Sequence, residues 1–502
     1  MKKSRFPALF VMGFFALNLT PAVALSSEPT HSKAPQAPSR KGDTRDSGAD
    51  YLISVNGTLF ERGAVPSFLT VFKGKLFFTA ADGNHGFELW SSDGTPGGTA
   101  MVRDINEGTG HSVPSFLTAV DDSLFFTATD GLHGFELWKT DGTTRGTQMV
   151  KDINPRGNAV PMFLTAANHR LFFQANDGRH GAEIWVSGGD AANTYLLKDI
   201  RPGSKGSSPS GIIAVGDAVY FRADDGETGV ELWRSDGSPA GTALVKDINP
   251  GSDSSYPSIL SGVAGVLLFS AADSVHGREL WKTDGTAQGT ALVKDINPGP
   301  GNAVPFDLVS VNAVAYFSAD DGESGAELWK TDGSAAGTAL VKDINQGAKG
   351  SNPAELTSVH GALFFAASDG IHGRELWTSD GTAAGTKLVK DIAEGEKSSS
   401  PMNLTDVYGK LFFTATGPEG ELQLWSSDGA SEHTALAKNV KPGGADWELS
   451  ALTPYHGRLF FTATNTKDAR RELWESDGSA KGTHQVRIFA PAPREPAAAN
   501  GM

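Results

Sequence analysis

Residues 231–248 read ELWRSDGSPAGTALVKDI. Two apolar-rich runs of strand length flank an Asp-Gly pair, and Asp-Gly readily supplies the backbone shape of a tight turn, so the stretch predicts a β-hairpin. Upstream, Ile212–Val215 and Ala218–Ala223 are two further short apolar runs separated by Gly and Asp. One unit therefore holds four short strands. The unit repeats: Trp90, Trp138, Trp185, Trp233, Trp281, Trp329, Trp377, Trp425 and Trp474 follow one another at spacings of 48, 47, 48, 48, 48, 48, 48 and 49 residues. A fixed period of this length marks a repeat architecture. A four-stranded sheet this small cannot bury both faces alone, so it must stack on its neighbours, in a ring or along a solenoid.

The reading is an all-β protein: a β-propeller of nine four-stranded blades, with two smaller propellers as the alternative. Tyr51–Val55 resembles a fourth strand with no unit before it, since 52–56 align with 100–104. A ring needs such a strand to latch its last blade to its first, so closure by this N-terminal strand is expected. In the hairpin, pairing Trp233 with Leu244 sets Glu231 opposite Lys246, which predicts a cross-strand ion pair. Glu holds its place in eight of the nine copies and Lys or Arg the other in all nine; the eighth copy has Gln423, and Asn439 in place of the Asp after the Lys.

Lys2, Lys3 and Arg5, an apolar run from Phe6 to Leu19, and Ala22, Val23 and Ala24 have the layout of a signal peptide cleaved after Ala24. Residues 25–50 read as a disordered linker, 51–490 as the propeller and 491–502 as a disordered tail. A secreted, extracellular or periplasmic location follows as an expectation. No later segment is long and apolar enough for a membrane span. The 43 Lys and Arg against 58 Asp and Glu give a net charge of -15 without any basic block, which argues against nucleic acid. There is no cysteine, so disulfides and thiol chemistry are excluded.

The recurring ELWKTDGT, as at 136–143, followed by MVKDINP or LVKDINP, resembles the bacterial ELWxxDGT repeat family. That resemblance covers about residues 65–489 and implies a secreted or surface-associated repeat protein, with no activity to carry across. More loosely, Ala223, Asp225, Thr228, Gly229 and Trp233 are similar in spacing to the tryptophan-docking motif of quinoprotein propellers. That implies blade-to-blade locking and no quinone site.

Five copies place a His before ELW, namely His85, His133, His180, His276 and His372, with Thr228 and Ser324 in the same place elsewhere. One His per blade disperses ligands around a ring, so a hydrogen bond within the turn is expected and no metal site is assigned. The Asp-Gly turns lack the alternating acidic register of a calcium loop, and calcium stays open only because carboxylates line the loops. No G-x-S-x-G, H-E-x-x-H or P-loop motif occurs, and no catalytic residue is assigned.

The repeat breaks in two places. Trp447, flanked by Asp446 and Glu448, could stack on a sugar ring, or else cover a blade edge. The second place is the inner-strand position two after Pro. It reads Phe68, Phe116, Phe163, Gly211 and Ile259, then Asp307, Glu355 and Asn403, an apolar arc facing a polar one. The expectation is a non-catalytic binding propeller that presents loops and a channel mouth to a glycan, a cell-surface component or a protein. The alternative is an extracellular polysaccharide hydrolase or lyase using Asp307, Glu355, Asp446 and Glu448.

Overall fold

The computed structural model describes residues 52–55, 58–61, 67–263, 265–440, 447–465 and 471–489, with side chains from 69 onward apart from 259 and 260. The expected signal peptide, linker and tail lie outside the described residues. The chain divides into two compact units, Met1–Gly63 and Ala64–Met502. In the first, Leu52–Val55 pairs antiparallel with Thr58–Glu61. In the second, nine antiparallel four-stranded sheets follow one another in chain order, each strand paired with the next. Blade four shows the pattern: Ser210–Val215, Ala218–Asp224, Val230–Ser235 and Ala243–Lys246. The described residues contain no α-helix, only a short 3-10 turn at Ser431–His433.

The blades form one ring, because the apolar core lies between blades and there is a cluster at every seam. Phe72, Phe77 and Leu89 of blade one pack with Leu124, Phe126 and Trp138 of blade two. The series continues around to Tyr455, Phe460, Leu473, Val486 and Phe489 of blade nine, which pack on Leu76, Phe78 and Trp90 of blade one. Each fully buried large side chain contributes roughly 1.5–3 kcal/mol, so the stability of a blade resides in its two seams.

The expected N-terminal latch is not formed. Leu52–Val55 pairs with Thr58–Glu61, and blade nine is complete without it because His484–Phe489 supplies its outer strand. The ring closes by side chains: Tyr455 Oη donates to the Gly74 carbonyl, and Phe489 meets the rings of Phe78 and Trp90 edge-on. Tyr455→Phe removes that hydrogen bond and should cost about 1 kcal/mol in thermal unfolding. Unchanged stability would show that the bond adds nothing to closure.

The hairpin pairs Trp233 with Leu244 as expected, but the ion pair expected between Glu231 and Lys246 is absent. The register shifts by one at that point, so Lys246 lies opposite Leu232. The same bulge occurs in all nine blades. It turns Val245 into the core and frees the lysine to reach outward. Lys246 Nζ donates to the Thr290 carbonyl of the next blade at 3.0 Å. Glu231 is fully buried and accepts bonds from Ile248 N, Ser255 N and Ser255 Oγ, at 3.3, 2.8 and 2.6 Å. The glutamate therefore staples its own strand to the connection leading into the next blade.

Candidate functional site

The first strand of each blade is innermost and touches the first strands of its neighbours, so these strands line the channel. Each contains a bulge, and in seven blades the bulge residue has a positive φ: Phe116 (56°), Phe163 (55°), Gly211 (61°), Asp307 (54°), Glu355 (62°), Asn403 (56°) and Ala451 (53°). Non-glycine residues seldom adopt this conformation. It is held here because the ladder resumes on both sides of the bulge. The position that departs most from the repeat is thus fixed by the backbone of a rigid strand.

The structure brings Asp307 and Glu355 together on blades six and seven. Asp307 Oδ2 accepts from Leu356 N at 3.0 Å, and Glu355 Oε2 from Leu404 N at 3.4 Å, so each acid reaches the inner strand of the following blade. Burial pushes both carboxyls above their usual range, and the charge of Asp307 raises Glu355 further. Arg374 lies within electrostatic reach of both and anchors Nη1 on the Asn352 carbonyl at 2.7 Å. Burial pulls its guanidinium downward while the two acids push it back. Asn403, on blade eight, instead donates from Nδ2 to Thr414 Oγ1 at 3.1 Å.

The second break does not join this group. Trp447 begins the inner strand of blade nine, opposite Asn465, and is half-buried against the cluster between blades eight and nine, the edge-covering arrangement. Glu448 is exposed and interacts with Arg471, a buried guanidinium pulled down to about 9 by desolvation. Asp446 lies outside the described residues.

The histidines behave as expected of turn residues: Nδ1 of His133, His180 and His372 meets Asp130, Asp177 and Asp369 at 2.7 Å, and Thr228 and Ser324 make the equivalent contact. In the Asp-Gly turns the carboxylates are engaged locally; Asp236 Oδ1 accepts from Ser238 N and Oγ at 2.8 and 2.7 Å. Among the described residues no group of three or more His, Asp and Glu side chains is arranged to hold a metal ion.

Sequence reasoning missed the arginines. Arg278 and Arg374, like Arg471 in blade nine, occupy the position before the ELW glutamate, where the other copies carry Phe, Ala, Val or Leu, and that departure was the available signal.

No family model matches this chain, and no curated protein matches it in sequence. Solved structures that align with it include a puromycin hydrolase (12% identity, TM-score 0.36, 78% of this chain and 62% of that one). Others are a prolyl endopeptidase (11%, 0.41, 70% and 54%) and a puromycin-hydrolyzing peptidase of Mycobacterium tuberculosis (11%, 0.34, 70% and 57%). The chain spans less than two thirds of the length of each. At such identities the likeness concerns the fold alone, and the activities are those of the other proteins. The expectation of a non-catalytic binding propeller finds no counterpart among these structures, which are described as hydrolases or peptidases.

Proposed function

We propose that the chain is a hydrolase of extracellular polysaccharide, with its acid pair, Asp307 and Glu355, at the channel mouth. One observation carries this reading: two half-buried carboxyls with raised proton affinity, on adjacent blades, share one guanidinium where the repeat is broken. Cleaving a glycosidic bond takes a carboxylic acid to protonate the departing oxygen and a carboxylate to act as nucleophile or to activate water. The charge of Asp307 adds to burial in raising the proton affinity of Glu355, which suits Glu355 to the general acid and Asp307 to the carboxylate. Arg374 steadies the charge of the pair. Phe306 and Tyr256, 40% and 37% exposed, offer ring faces on which sugars stack. The signal-peptide layout supports a substrate outside the cytoplasm.

Incubation with a panel of plant, algal and bacterial polysaccharides, read as new reducing ends, tests the reading. Glu355→Gln should lower the rate about a hundredfold, the low end of a general acid's contribution, with the melting temperature retained. Failure of the wild type to release reducing ends from any polymer, or full activity in the variant, would overturn it.

A further inference from the structure

One blade before the acid pair, the channel wall changes character. At the bulge position of blade four stands Gly211, exposed, and a Cβ added there would meet nothing within 4 Å. Phe116, Phe163, Asp307, Glu355 and Asn403 fill the equivalent place in their blades. The result is a recess in the channel wall.

One guanidinium group stands beside it and a second on the next blade. Arg222 lies on the second strand of blade four, where Nε donates to Ser210 Oγ at 2.7 Å, next to Gly211 in the chain. Arg278 is the second residue of the third strand of blade five, Gly277–Thr283, and folds back over its own blade. Its Nη1 donates to the Tyr256 carbonyl at 2.9 Å and lies 3.4 Å from Ser270 Oγ, and Nη2 donates to the Ser255 carbonyl at 3.3 Å. Ser270 occupies in blade five the place that Arg222 holds in blade four. The two cations therefore share one level of the ring on neighbouring blades, and they are close enough to repel. No carboxylate among the described residues pairs with Arg278. A desolvated guanidinium such as that of Arg278, facing a like charge, is costly unless something compensates it.

We infer that the recess at Gly211, between Arg222 and Arg278, binds an acidic substituent of the polysaccharide chain, a uronate carboxylate or a sulfate ester. A planar fork of N–H donors suits either group. The inference rests on the proposed function and names its substrate class: a strand laid across the mouth places its acidic group on blades four and five when a neighbouring linkage reaches Asp307 and Glu355 on blades six and seven. Tyr256, exposed beside Arg278, gives that strand an apolar footing.

Calorimetric titration with alginate oligomers, dextran sulfate oligomers and uncharged dextran oligomers reads binding without cleavage, so it stands apart from the hydrolase test. Either acidic oligomer should bind, weakening as salt rises from 0.05 to 0.5 M, and dextran should not (~10 Å screening length at 0.1 M). The alginate and dextran sulfate arms distinguish carboxylate from sulfate. Arg278→Gln and Gly211→Phe should each weaken binding at least tenfold. Phe is already accommodated at this bulge in blades two and three, so the second variant fills the recess without disturbing the strand. Acidic oligomers binding no better than dextran, or unchanged affinity in both recess variants, would overturn the inference.

Discussion

Glu231→Ala is expected to destabilise the ring by about 3–5 kcal/mol, while Glu231→Gln costs a fraction of that. The carboxylate accepts from two backbone amides and one hydroxyl in a wholly buried connection. Truncation leaves those donors without an acceptor, and each buried orphan costs about 1–3 kcal/mol. Glutamine keeps one acceptor oxygen for those donors, and the fold tolerates the residue: blade eight carries Gln423 at the same position, where Nε2 donates to Glu421. The residue seals the passage from one blade to the next, so the loss should propagate as local opening of that connection. Chemical denaturation with midpoint and slope compared gives the number. Equal stability of the Ala and Gln variants would show that the hydrogen bonds are not what the glutamate contributes.

The same glutamates should make the ring more stable at mildly acidic than at alkaline pH. Burial, partly offset by hydrogen-bond donors and aided by a neighbouring aspartate, raises Glu88, Glu136, Glu231 and Glu279 from 4.5 to about 7. A group whose proton is held more tightly in the folded chain stabilises it below the unfolded value, and that contribution is lost as pH rises through the folded one. The window is therefore pH 4.5 to about 7, over which stability falls. The turn histidines, raised by their aspartates, act in the same direction. The turn aspartates Asp93, Asp141 and Asp236 are lowered by hydrogen bonds from Thr or Ser, and act only below about 4. Between pH 5 and 8 a loss on the order of several kcal/mol is expected, a few degrees of melting temperature for a ring of this size. Glu231→Gln should flatten the curve by its share. A melting temperature that is level or rises across that interval would sink the prediction.

The four-stranded unit, its ninefold repetition and the Trp233–Leu244 pairing were legible because turn chemistry and period are local properties. The ion pair was misread because strict alternation was assumed across a bulge. The residue before the Lys or Arg is apolar in every copy, from Val102 to Val486, and buried throughout. Two adjacent apolar residues at that point break the two-residue period, the trace such a bulge leaves. The latch was misread because a ring was assumed to need a borrowed strand. His484–Phe489, with Arg487 in the repeat's basic position, already supplies the outer strand of blade nine. Of the site, the acids were visible as departures in one column. Arg278 and Arg374 act on residues 22 positions back in their own blades, a distance over which spacing alone carries no signal.

The reach of each basic residue to the following blade has a topological consequence. Lys294 donates to Thr338 O, Lys342 to Thr386 O, and Arg487 of the last unit to Thr99 O of the first. The joint between the ninth blade and the first is built like the joints between successive blades. Such a circle has no privileged opening: a rearranged gene that began at another repeat would encode the same set of handclasps, and selection is free to move the break.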